Sequence, residues 1–286
     1  MFESGPIVLP LDGSTRAEAA LPVAVALARL YEAPIRFVHV LDEDLLLESP
    51  RPWGDACAAF AAYVDGLLKT VDATGTVREV EVHPGPIART ILDAAIGARL
   101  IVIASRGRGG FRGVLGSVAD RVVRGSSVPV LIVPAEGNAP LANGTIVVGL
   151  DGSTIAEAGL EAAREIGAKL GARLALVRAY SLLAGAGSEF MTYSVDLVTL
   201  IEEAAQAYLN QTARAGELTY CLLSPAVDAI DRVARQENAV LVVMASHGKG
   251  FARRITLGSQ TDRAMHSLHR PLLVIPVVED GVEVEA

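Results

Sequence analysis

Ile7-Val8-Leu9-Pro10-Leu11-Asp12-Gly13-Ser14-Thr15 returns in the second half as Ile146-Val147-Val148-Gly149-Leu150-Asp151-Gly152-Ser153-Thr154. Ile101-Val102-Ile103-Ala104-Ser105-Arg106-Gly107 returns as Val242-Val243-Met244-Ala245-Ser246-His247-Gly248. A Gly-Ser pair follows each block, Gly116-Ser117 and Gly258-Ser259, and each half closes on an apolar run ending at Pro134 or Pro276. The offset between copies drifts only from 139 residues at the aspartate to 142 at the Gly-Ser pair. A period this long marks a duplicated domain rather than a short solenoid unit. The spacing predicts domains over 1–136 and 144–280, because the stretch from Ala135 to Gly144 is rich in Gly, Pro and Asn, which interrupt regular structure.

A chain of 286 residues has room for two such domains, each able to bury an ordinary core. Its 51% hydrophobic and 20% charged content belongs to a globular protein. Net charge −8 argues against a general nucleic-acid binder, which draws its affinity from a basic surface. Cys57 and Cys221 offer neither metal-ligand spacing nor a disulfide framework. The first residues lack the basic start and apolar core of a signal peptide, and no apolar run approaches the ~20 residues of a membrane span. The expectation is a soluble cytoplasmic protein, with no nucleic-acid or membrane partner.

Short apolar runs alternate with longer alanine-rich amphipathic stretches, the pattern of a parallel sheet covered by helices. The predicted strands are 6–11, 35–41, 77–82, 100–104 and 128–133, then 145–150, 173–179, 218–223, 240–245 and 271–276. The predicted helices are 15–31, 56–70, 86–97 and 117–126, then 154–170, 192–214, 226–237 and 259–268. Pro22 either kinks the first helix or marks its true start after a loose turn. The segments from Leu45 to Asp55 and from Ser181 to Ser188 follow the second strands, at the sheet edge where ligands bind in open α/β sheets. They read as covers for a site or as variable surface loops.

The loop after the fourth strand is the most specific feature. Glycines let a backbone approach phosphate oxygens, and a helix opening at the Gly-Ser pair adds N–H groups and the positive end of its dipole. Ser259 can add a hydroxyl, and Lys249, Arg253 and Arg254 positive charge. The plainer reading is a strand-loop-helix connection with a serine N-cap. Asp12 and Asp151 end the first strand of each half, where a carboxylate can accept hydrogen bonds from a nucleoside. An Asx turn with a Ser or Thr cap explains the same residues, and the two roles are compatible.

Strand-Asp-Gly-Ser, the Ser-x-Gly block, the glycine loop closed by Gly-Ser and the terminal Pro-Val-Leu-Ile-Val-Pro resemble the universal stress protein family, over essentially the whole chain as two fused copies. The resemblance implies an α/β fold of two Rossmann-like (adenine nucleotide alpha hydrolase-like) domains. Each would be a five-stranded parallel sheet of order 3-2-1-4-5 with helices on both faces. It implies a stress-response or signalling protein that binds a nucleotide, ATP preferred and accompanied by Mg²⁺, with little or no turnover. The nucleotide-binding branch carries Gly-x-x-Gly, nine residues, then Gly-Ser or Gly-Thr. Here that pattern falls on Ala245, Gly248, Gly258 and Ser259, so an alanine replaces the first glycine. In the first half it falls on Ala104, Gly107, Gly116 and Ser117, with a spacer of eight residues. The resemblance also implies nucleoside contacts from Asp151, Ala179, Met244 and Ala245, and from Asp12, Val40, Ile103 and Ala104. On motif spacing the second site ranks above the first.

There is no Walker-type loop and no Gly-x-Ser-x-Gly elbow, and no nucleophile, base and orienting acid converge in either motif. His266 and His269 sit three apart at a predicted helix end without a cysteine or further histidine in support, and histidines there also favour the helix dipole, so metal ligation is not expected. His39 reads as a satisfied core or edge residue, His83 as a turn residue before Pro84 and His247 as a loop residue. Two further readings stay open: a scaffold that has lost its ligand and acts through protein contacts, and a nucleotide hydrolase on the same fold. The apolar last strands, Val128 to Val133 and Leu272 to Val277, would be hazardous as exposed edges, so the halves are expected to pair through them, and a homodimer is possible.

Overall fold

The computed structural model describes residues 4–41, 53–73, 75–107, 115–135, 141–180, 195–246 and 257–276. The parts of the two covering loops at 45–52 and 181–188, the linker residues 136–140, and Gly248 with His247, Lys249, Arg253 and Arg254 lie outside them.

The elements of the first repeat are β1 (Ile7–Pro10), α1 (Thr15–Glu18), α2 (Leu21–Tyr31), β2 (Ile35–Leu41), α3 (Trp53–Leu68), β3 (Arg78–Pro84), α4 (Ile87–Ala94), β4 (Leu100–Ala104), α5 (Ser117–Gly125) and β5 (Val130–Val133). Those of the second are β6 (Thr145–Leu150), α6 (Thr154–Leu170), β7 (Arg173–Tyr180), α7 (Val195–Thr212), β8 (Leu218–Leu223), α8 (Ala226–Gln236), β9 (Ala239–Ala245), α9 (Ser259–Ser267) and β10 (Leu272–Ile275). Strands β1, β4, β5 and β10 are buried along their whole length. That is why they read as unbroken apolar runs: a parallel sheet covered on both faces has no solvent side to alternate with.

The expected first helix is two helices. Pro22 has no N–H to donate, and its ring would clash with the carbonyl four residues back, so the turn at Ala19 and Ala20 tightens to bonds three residues back, Ala19 N to Arg16 O and Ala20 N to Ala17 O, and α2 begins with proline in its first turn. In the second repeat no proline intervenes, and α6 runs unbroken from Thr154 to Leu170, closed by Gly171.

The chain divides into two compact units. One holds the described residues up to Leu141 together with 265–276; the other holds those from Ala142 to Ser246 with 257–264. In the first unit the strand order is β3-β2-β1-β4-β5, all parallel, the expected 3-2-1-4-5. β10 belongs to this unit and runs antiparallel to β5, with Leu272 opposite Ile132, Leu273 opposite Leu131 and Val274 opposite Val130. The neighbour covers one edge of β5 with a second fully apolar strand. In the second unit β9-β6-β7-β8 pair in parallel, repeating the first four positions of that order. In each unit the order reverses between the first and fourth strands of the repeat. This leaves a crevice at their carboxyl ends, where open α/β sheets bind ligands.

Candidate functional site

Each crevice begins at an Asp-Gly-Ser turn. The glycine takes a positive φ, +77° at Gly13 and +78° at Gly152, a conformation that a side chain would strain. Asp12 Oδ1 accepts hydrogen bonds from Ser14 N at 2.9 Å and Ser14 Oγ at 2.6 Å. Ser14 Oγ in turn accepts from Ala17 N at 3.2 Å and caps α1. Asp151 repeats this with Ser153 N at 2.9 Å and Ser153 Oγ at 2.6 Å, and Ser153 Oγ accepts from Ala156 N at 3.1 Å. The Asx turn and cap are therefore present in both copies, and they fix one carboxylate oxygen at the strand end.

The fourth-strand loop meets this turn from the other side. At its base Gly116 N donates to Ser105 O at 2.8 Å, and Gly258 N donates to Ser246 O at 2.7 Å. The second glycine of each motif thus closes its own loop. The helix begins at the following serine, with Gly116 rather than Ser117 in the N-cap position. The first intrahelical bond runs from Asp120 N to Gly116 O at 3.0 Å, so the amides of Ser117, Val118 and Ala119 lie outside the ladder of α5. They form the positive end of that helix. Gly107 has a different role: a Cβ there would overlap Asp12 Oδ2. Its missing side chain lets the loop close onto the carboxylate.

These parts enclose a cavity of about 490 Å³ in the first unit. Of the expected residues Asp12, Val40, Ile103, Ala104, Gly107, Gly116 and Ser117 all line it. The cavity of the second unit is about 180 Å³ and is lined by Asp151, Ala179, Met244, Ala245, Gly258 and Ser259. Gly248 alone of the expected set falls outside the described residues.

Several lining residues escaped the sequence reading. Ile87 and Ile91 of α4, and Ala226 and Ile230 of α8, form a wall of each cavity. Their helices are strongly amphipathic, and that apolar stripe was the available signal. Arg106 lines the first cavity while only 8% exposed. Thr261 stands where the first repeat has Ala119; it is 3% exposed and its Oγ1 donates to Ala245 O at 2.8 Å.

The support beneath the turns also differs. His39 Nδ1 lies 2.8 Å from Leu11 O and its ring stacks on Phe60 at 5.0 Å, the satisfied histidine that was expected. At the same register in the second unit Arg178 lies over the Tyr208 ring at 4.6 Å and against Gly152. In both units a tyrosine from the covering helix reaches an acid of the capped helix: Tyr63 Oη donates to Glu18 at 2.7 Å, and Tyr208 Oη to Glu157 at 3.1 Å. Burial, then the hydrogen bond and charge of Glu18, then the charge of Asp12, push the Tyr63 phenol well above its ordinary pKa. It is a fixed donor at neutral pH.

Among the described residues no three His, Cys, Asp or Glu side chains gather as a metal site, and no helix is long and apolar enough to cross a membrane.

The sequence profile described as the universal stress protein family matches residues 3–134 and again 142–276. A universal stress protein of Mycobacterium tuberculosis strain H37Rv is 27% identical over 293 residues, covering 94% of this chain and 96% of that protein. Among solved structures, a universal stress protein from Archaeoglobus fulgidus superposes with a TM-score of 0.68 at 23% identity, covering 98% of this chain and 99% of the other. A functionally unknown protein from Pseudomonas aeruginosa PAO1 superposes with a TM-score of 0.71 at 17% identity, covering 95% and 92%. At these identities the structures show the shared fold.

Proposed function

Since the chain belongs to the universal stress protein family in tandem form, we propose that it is an adenine-nucleotide-binding stress-response or signalling protein, ATP preferred, with little or no turnover. One observation carries this reading. In the first unit a single cavity of about 490 Å³ is lined both by a strand-end carboxylate, Asp12, and by the opening turn of a helix at Ser117. Its volume lies within the ~300–1,000 Å³ of small-molecule sites.

The chemistry suits a nucleotide at both ends. Asp12 is an acceptor for an amino or hydroxyl group of a nucleoside, between the apolar walls of Val40, Ile103 and Ile91. The amides at 117–119 and the α5 dipole suit an anion, and the Ser117 hydroxyl offers one more donor. Arg106 adds positive charge to the lining. A Mg²⁺ ion would arrive on the phosphate oxygens. The domain limits 1–136 and 144–280, pairing of the repeats within one chain, a possible homodimer and a cytoplasmic location belong to the same proposal.

Two measurements test it. Denatured protein, purified without added nucleotide, is expected to release adenine nucleotide, and calorimetry with ATP and Mg²⁺ is expected to show saturable binding to any unloaded fraction. Absence of both at millimolar ATP refutes the reading. Appreciable phosphate release abolished by one acidic-residue substitution would replace it with a hydrolase.

A further inference from the structure

The two cavities are built from equivalent positions and yet differ in size. Motif spacing favours the second repeat, because only its spacer has nine residues. The volumes point the other way, about 490 Å³ in the first unit against about 180 Å³ in the second. Small-molecule sites start near ~300 Å³; the first cavity lies above that size and the second below it.

Placement, not bulk, closes the second cavity. Ala179 and Ala226 are smaller than their counterparts Val40 and Ile87. However, Ile230 Cδ1 lies only 2.7 Å from where a Cβ on Gly149 would stand, and Met244 Cγ lies 3.6 Å from the same point. These two side chains, the counterparts of Ile91 and Ile103, close in over the bare backbone of Gly149, where the first repeat has Pro10. Thr261 adds a methyl and a hydroxyl where Ala119 leaves room, and its hydrogen bond to Ala245 O holds it in place. A close-packed wall of this kind does not yield without strain.

We infer that the chain binds one nucleotide, in the first unit alone, and that the second unit is closed to the nucleoside by Ile230, Met244 and Thr261. This rests on the nucleotide reading above. The second unit keeps its Asp151 turn and its loop-closing bond as parts of the fold.

The test uses the full chain, stripped of nucleotide, with ATP and Mg²⁺. Equilibrium dialysis is expected to give one equivalent bound, and hydrogen exchange to show protection at 115–119 and around Asp12 but not at 257–261 or around Asp151. Val40→Phe, which fills the first cavity, is expected to weaken binding at least tenfold. If that variant fails to fold, Asp12→Asn keeps the Oδ1 acceptor for Ser14 and is expected to weaken the same single site. Two equivalents, or protection confined to the second unit, overturn the assignment. No binding by the unaltered chain overturns the nucleotide reading itself, and the two failures are told apart by the stoichiometry.

Discussion

Gly107→Ala tests how the site carboxylate is held. The added Cβ would overlap Asp12 Oδ2 and stand 3.3 Å from Asp12 Cγ. A surface carboxylate would rotate away at little cost. Asp12 is held, because its Oδ1 accepts from Ser14 N at 2.9 Å and Ser14 Oγ at 2.6 Å. Hydrogen bonds to a charged group contribute about 1.5–3 kcal/mol each. Asp12 is only half-buried and water replaces part of that loss, so the expected net cost is about 1.5–3 kcal/mol for the pair. The same displacement removes the acceptor offered to the nucleoside, and one such bond corresponds to about ten- to hundredfold in Kd. Gly116→Ala is the control, since its nearest neighbour would be Ser105 O at 3.4 Å, an ordinary contact. Its expected cost is under about 1 kcal/mol, the preference of an N-cap for glycine over alanine. Urea unfolding and ATP titration of both variants give the two readouts. If Gly107→Ala stays within about 0.5 kcal/mol with unchanged Kd, or if Gly116→Ala is equally destabilising in urea, Gly107 does not serve to admit Asp12.

Ser153→Ala removes the cap of α6 and a donor to Asp151, and is expected to cost about 1–2 kcal/mol in denaturant unfolding. Gly66 lies in the last turns of α3 with open space where a methyl would stand, so Gly66→Ala is expected to raise stability by about 0.5–1 kcal/mol in the same assay. Burial alone would raise the Glu217 carboxyl, but hydrogen bonds from Arg164 and the Arg214 amide, with both arginine charges, bring it below the ordinary range. A carboxyl lowered on folding adds stability above its unfolded pKa and loses it as pH falls through the folded one. Acid unfolding of Glu217→Gln is therefore expected to show a flatter pH dependence below the usual glutamate range. Glu217→Ala is expected to cost about 1.5–3 kcal/mol at neutral pH, the range for losing a hydrogen bond between charged groups, because the pair is partly buried and Arg164 keeps Glu161 at 2.7 Å.

The parts legible in the sequence were those set by local chemistry written twice. Asp-Gly-Ser specifies a positive-φ turn and a cap on its own, and both copies form it. The buried strands announced themselves as β-branched runs, and their parallel direction followed from their alternation with amphipathic helices, while the strand order came from the family resemblance. Pro22 flagged a break without showing whether the helix would bend or restart, because that depends on how the turn at Ala19 and Ala20 packs. The residues expected at each crevice, Gly248 aside, do line it, but its volume was not legible. The shorter spacer of the first repeat looked like the weaker motif, whereas cavity size is set by side chains distant in sequence. Ile230 and Met244 converge over Gly149 from different elements, and Thr261 turns inward to a strand carbonyl. Arg106 was passed over because its burial depends on how the loop folds back.

A crystal structure of the full chain grown with ATP and Mg²⁺ tests the central claim most directly. The account predicts one nucleotide, its base between Val40 and Ile103 with Asp12 in hydrogen-bond reach, and its phosphates at the amides of Ser117 to Ala119. A first-unit cavity without nucleotide at saturating ATP, or a nucleotide bound elsewhere on the chain, would contradict it.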